Sequence, residues 1–153
     1  MRSPAWLGPR LDVCGRLRLS TPMSEQPPAV RSWHAVVESG DLARLDDLLA
    51  DDVVFLSPAV FAPQPGKALT ARYLRSAIVV LGPTLRYVGE WHGPVSAVLE
   101  FEAEIDGRHV QGVDILRWNE ADKLVSFTVM ARPLRGLEKL IELMGRQLTA
   151  DPS

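Results

Sequence analysis

Apolar residues recur with a helical period in the first half of the chain and with a period of two from Leu85 onward. Past Pro28, Val30, Trp33 and Val37 fall at i, i+3 and i+7, on one face of a helix ended by Gly40, and His34 shares that face. Asp41 is placed to cap a second, short helix carrying Leu42, Leu45, Leu48 and Leu49, after which VVFLS at 53–57 reads as a strand. Pro58, Pro63, Pro65 and Gly66 force a loop. Leu69, Tyr73, Ala77 and Val80 predict a third helix over 67–81, stopped by Gly82-Pro83. Segments 85–92, 95–105, 108–118 and 123–132 alternate as four strands of an antiparallel meander. A last helix over 134–148 puts Leu134, Leu137, Ile141, Met144 and Leu148 on one stripe.

The meander carries the first functional signal. Asp106-Gly107 is the sharpest turn signal in the chain, because a two-residue type I′ hairpin needs φ > 0 at both positions. With that turn, Ile105 faces Arg108, and Leu99, Phe101 and Ala103 share a face with Asp114, Gly112 and Val110. A four-residue turn at 119–122 then sets Asp114 opposite Phe127 and beside Leu116. One carboxylate is left on an apolar face. It must find a donor or raise its pKa and hold its proton, and acids perturbed in this way mark functional sites. The plainer alternative is a structural acid hydrogen-bonded by His34 or Tyr73. Glu100, Glu102 and Glu104 alternate on the other face, with His109 opposite Glu104, as a solvated surface.

Composition removes several functions. The 153-residue chain suits one domain, and with net charge −2 and no Lys/Arg stripe among aromatics it gives nucleic acid little to bind. No two glycines are spaced G-x-G, and neither G-x-x-x-x-G-K-[ST] nor G-x-S-x-G occurs, so no nucleotide cofactor or hydrolase elbow is called for. His92 and His109 form no H-x-H or H-x-x-x-H, so no metal site is expected. A single Cys14 and the absence of a long apolar run favour a reducing, cytoplasmic location away from membranes. Residues 1–28 carry four arginines and five prolines without a period, reading as disordered or as sequence ahead of a true start at Met23; the functional domain is expected over 29–150.

Three segments, WHAVVESGDLARLDDLLADDVVFLSP (33–58), GKALTARYL (66–74) and GRHVQGVDILRWNEADKLVSF (107–127), resemble the SnoaL-like and ketosteroid-isomerase-like branch of the nuclear transport factor 2-like superfamily. The resemblance implies an α+β fold: a cone-shaped half-barrel of curved antiparallel sheet, packed by three helices from the N-terminal half, plus a C-terminal helix. It implies a homodimer, no cofactor, and a cavity for a small, largely apolar molecule, served by isomerase, cyclase or hydrolase chemistry or by none. The ketosteroid isomerase pattern has a tyrosine in the first helix, an aspartate base before the proline closing the first strand, and an aspartate in a V/I-D-x-x-R-[FW] strand. These positions resemble Trp33, Ser57 and Asp114. Only Asp114 is kept; in the family the corresponding acid stays protonated and donates to a developing oxyanion. A serine takes no proton at neutral pH without a partner, so that mechanism lacks its base here.

The expected site therefore has Asp114 as general acid or oxyanion donor, with His34 as an acid/base partner across the cavity. Trp33, Phe55, Ser57, Tyr73, Leu99, Phe101, Leu116 and Phe127 are its expected ligand contacts. A lone histidine on an apolar helix face is more often a satisfied half-buried residue, and an aromatic at helical spacing more often core. The alternative function is a non-catalytic ligand-binding or dimerisation module. The apolar stripe of the last helix is expected to cover the cone mouth as a lid, or else to pack on a partner subunit. The outward face of the sheet is the expected dimer surface.

Overall fold

A computed structural model describes residues 25–150. Ten elements follow one another: α1 (Pro28–Ser39), α2 (Ala43–Leu48), β1 (Leu49–Leu56), β2 (Gln64–Pro65), α3 (Lys67–Leu81), β3 (Arg86–His92), β4 (Ser96–Ile105), β5 (Arg108–Trp118), β6 (Leu124–Arg132) and α4 (Leu134–Ala150). The six strands form one curved, unclosed sheet in the order β2-β1-β6-β5-β4-β3, and the four helices make this an α+β fold. The expected leader, 1–28, lies almost wholly outside the described residues, and α1 begins within its last position, with Pro28 in the first turn where a missing N–H is harmless. Gly40 caps the end of α1 at φ 64°, returning its N–H to the Val36 carbonyl.

Three expectations about the first half need correction. Asp41 does not head α2 as its N-cap; Leu42 occupies that position, although the Asp41 carboxylate still accepts from the Ala43 N–H at 3.2 Å. Leu49 belongs to β1, which starts four residues before the expected 53, and β1 pairs with β6 in parallel. The proline-rich loop contains the two-residue strand β2, which closes back on Val54 and Phe55. The parallel pair arises because α3 carries the chain across the sheet before the meander begins, so β1 is joined to β6 only in space.

The β4–β5 hairpin has the register expected from its turn, with Leu99 opposite Asp114 and Phe101 opposite Gly112. Asp106 and Gly107 sit at φ 47° and 69°, as a type I′ turn requires. The β5–β6 register differs: Asp114 faces Val129, and Phe127 faces Leu116. Asn119 closes a longer turn, its side chain accepting from the Ala121 and Lys123 N–H groups, and an irregularity beside Trp118 absorbs the extra residue. The net slip is two residues, so Phe127 keeps the face predicted for it.

The concave face is covered by two apolar clusters. One joins α1, α2 and α3 to Leu99, Leu116, Leu124 and Phe127; the other joins α4 to Phe101, Ala103, Ile105 and Val110, with Leu140 as its anchor. Gly136 permits the approach of α4, because a Cβ there would come within 2.5 Å of the His109 carbonyl oxygen. The stripe that α4 buries is therefore Gly136, Leu140 and, in part, Leu143 and Met144, not the one through Leu134, which is exposed. The helix packs on its own chain. None of the described helices is long and apolar enough to cross a membrane.

Candidate functional site

Tyr87 and Val129 touch both clusters, and a cavity of about 200 Å³ opens where the clusters meet. Its walls include Trp33 of α1, Phe55 and Ser57 at the end of β1, Tyr73 of α3, Tyr87 of β3, Phe101 of β4, Asp114 of β5 and Phe127 of β6. The loop after β1 contributes Val60, and α4 contributes Leu140, Ile141, Met144 and Leu148. Of the expected stripe, Ile141, Met144 and Leu148 line the cavity, and Leu134 and Leu137 do not. Phe55 stacks on Tyr73 at 5.2 Å, and Trp33 meets Phe127 edge-on at 4.7 Å, so the aromatic walls are fixed by one another.

Two expected contacts are absent from the wall. Leu99 and Leu116 share a face with Asp114 but are fully buried in the cluster that joins α1, α2 and α3 to the sheet, outside the cavity lining. His34 is also outside the wall. Its Nε2 lies 2.7 Å from Glu90 Oε2, a carboxylate that also takes His92 Nε2 and the Gln26 amide, and its ring meets the edge of Tyr87. The expected His34–Asp114 pair does not form, because β3 places Tyr87 between them. Gln26, His34 and His92 together hold Glu90 below the usual carboxylate range against the upward push of its burial. Among the described residues no group of three or more His, Cys, Asp or Glu is arranged to hold a metal ion.

Asp114 is 6% exposed and lines the cavity. Tyr87 Oη donates to Asp114 Oδ2 at 2.6 Å, and Trp33 Nε1 donates to Tyr87 Oη at 2.7 Å. The direction of this chain is fixed by its first member, since an indole N–H can only donate. Tyr87 must therefore accept from Trp33 and aim its one proton at Asp114. Oδ2 is kept as an acceptor, so the proton of a neutral Asp114 belongs on Oδ1, which has no hydrogen-bond partner among the described residues. Burial raises the Asp114 carboxyl from its ordinary 3.8 to about 7, and the hydrogen bond from Tyr87 opposes that rise. The Tyr87 hydroxyl is held well above its ordinary value by burial and by the Asp114 charge, so it stays protonated.

Sequence reasoning missed Tyr87 because of a bulge. From His92 back to Gly89 each β3 residue pairs regularly with β4, but one residue is skipped between Tyr87 and Gly89. Strict alternation would send Tyr87 and Glu90 to opposite faces; the bulge turns both to the concave side, Tyr87 opposite Phe101 and Glu90 opposite Leu99. Gly89 was the available signal, as a glycine inside a strand pattern often marks a bulge.

The SnoaL-like domain family matches residues 30–127. Among solved structures, a steroid delta-isomerase from Pseudomonas aeruginosa is 33% identical over 80% of this chain and 90% of its own, with a TM-score of 0.76. An uncharacterised protein with a cystatin-like fold from Silicibacter pomeroyi is 26% identical over 82% of this chain and 88% of its own, at the same TM-score of 0.76. A putative ketosteroid isomerase from Kribbella flavida shares the fold at 17% identity, over 69% of this chain and 76% of its own, with a TM-score of 0.58. No curated protein matches the chain.

Proposed function

Because the chain belongs to the SnoaL-like domain family, we propose that its cavity binds a small, largely apolar carbonyl compound and that Asp114, as a neutral carboxyl, donates the Oδ1 proton to the carbonyl oxygen. That donation is the acid half of an isomerase- or cyclase-type reaction, in which charge developing on the oxygen is met by a donor already in place. One observation carries the reading: the Trp33–Tyr87–Asp114 chain reserves Oδ2 as an acceptor and leaves Oδ1 to the cavity. The 33% identity to a protein described as a steroid delta-isomerase supports double-bond migration beside a ketone as the reaction to test first.

Ligand capture without turnover is the second reading, favoured by the wall itself. Asp114 is the one carboxyl or imidazole group lining the cavity among the described residues, and Ser57 stands where the family resemblance implies a base.

Binding of acetylnaphthalene and of ethylnaphthalene, equal in shape and different in the carbonyl, separates these statements when read by tryptophan fluorescence at pH 6. A net hydrogen bond of about 0.5–1.5 kcal/mol predicts a ketone preference of roughly two- to twelvefold, abolished in Asp114→Leu. Equal affinities would overturn the carbonyl reading. A β,γ-unsaturated ketone, followed by the absorbance of its conjugated product, then decides between turnover and capture: conversion above the solution rate that is lost in Asp114→Leu assigns the enzyme, and binding without conversion assigns the capture protein.

A further inference from the structure

The charge balance of the cavity points to a second class of ligand. Among the described residues, six aromatic rings from six elements, Trp33, Phe55, Tyr73, Tyr87, Phe101 and Phe127, line it together with one carboxyl, and no Lys, Arg or His does so. Around Asp114 itself the picture is the same. Strand β3 offers Tyr87 and α1 offers Trp33; Leu99 and Phe101 stand on β4, Phe127 and Val129 on β6, Tyr73 on α3, and Leu140 and Met144 on α4. The imidazole of His34 is spent on Glu90, on the other side of the Tyr87 ring. When Asp114 is ionised it has a hydrogen bond from Tyr87 and, among the described residues, no cation beside it. An anion so placed is costly in an apolar site unless something supplies the opposite charge. Aromatic faces attract the same kind of partner, because their quadrupoles favour a cation over the ring.

We propose that the cavity also takes lipophilic amines, with the ammonium held at Asp114 Oδ1 and the hydrocarbon body among the aromatic rings. This rests on the reading of the cavity as a ligand site and goes beyond the carbonyl chemistry proposed for it. The two ligand classes use opposite protonation states of one group. A ketone needs the proton on Oδ1; an ammonium needs it gone.

That opposition supplies the test. Naphthylethylamine and acetylnaphthalene are titrated into the 153-residue protein from pH 6 to pH 8. An alkyl amine remains protonated over this range, since the reference value for such a group is about 10. With Asp114 titrating at about 7, its ionised fraction rises from about 0.1 to about 0.9, so the amine binds about tenfold more tightly at pH 8 than at pH 6. The ketone moves about tenfold the other way. Asp114→Asn removes both slopes, weakens the amine at pH 8 and leaves the ketone bound through its amide N–H. An amine affinity that is flat or falls with pH in the wild-type protein overturns the proposal, without recourse to a variant. The carbonyl reading fails separately, if the ketone affinity does not fall as pH rises.

Discussion

Asp114→Asn should make the protein more stable at neutral and alkaline pH, an unusual result for a buried polar position. The wild-type carboxyl titrates at an ordinary 3.8 when unfolded and at about 7 when folded. The folded state therefore binds the extra proton between these values. Stability from this group is fully present below pH 4, is lost progressively as pH rises through 7, and stays lost above it. At about 1.36 kcal/mol per pH unit, ionised Asp114 costs the fold on the order of 4 kcal/mol. Asparagine keeps the shape and still accepts from Tyr87 through its carbonyl oxygen, but it never ionises. Urea unfolding of both proteins at pH 5, 6, 7 and 8 reads the difference. The variant should gain on wild type by about 2–3 kcal/mol between pH 5 and pH 8, nearly all of it below pH 7. Any fixed effect of the amide cancels in that slope. A difference that does not change with pH would mean that Asp114 titrates like a solvated aspartate, and the proton assignment would fall.

Tyr87→Phe removes the one donor to Oδ2 and should move the Asp114 titration further up, extending ketone binding to higher pH; a downward movement would refute the donor direction. Gly112→Ala should destabilise by about 1–3 kcal/mol, because its Cβ would stand 2.4 Å from the Met130 carbonyl oxygen and 2.6 Å from the Phe101 ring, and thermal unfolding measures this. We propose that two copies pair through the outer face of the sheet, where Trp91 and Met130 are exposed. Sedimentation should find a dimer at micromolar concentration that Met130→Glu dissociates; a monomeric wild type would refute it.

Legibility in the sequence followed the turns. Asp106-Gly107 favours one hairpin geometry, so the whole β4–β5 register, and with it the apolar setting of Asp114, is legible in the sequence. Strong periodicity likewise placed α3 at its observed limits. The β5–β6 turn carries no such signal: the Asn119 side chain adds its own bonds to the backbone ones there and the register slips by two, which leaves the face of Phe127 unchanged. Pattern shows the face of a residue and not its depth along that face, so Leu99 and Leu116 share the face of Asp114 yet belong to the core and not to the cavity wall. Nor can alternation anticipate the bulge beside Gly89, which brought in Tyr87 and directed His34 to Glu90 instead.

The proton on Asp114 is the centre of the account, and carbon-13 NMR of the labelled aspartate carboxyl observes it directly. The resonance should titrate near pH 7, and saturating acetylnaphthalene should move the midpoint upward, since a carbonyl that accepts from Oδ1 stabilises the protonated form. A midpoint near 4, unchanged by the ketone, would contradict the account.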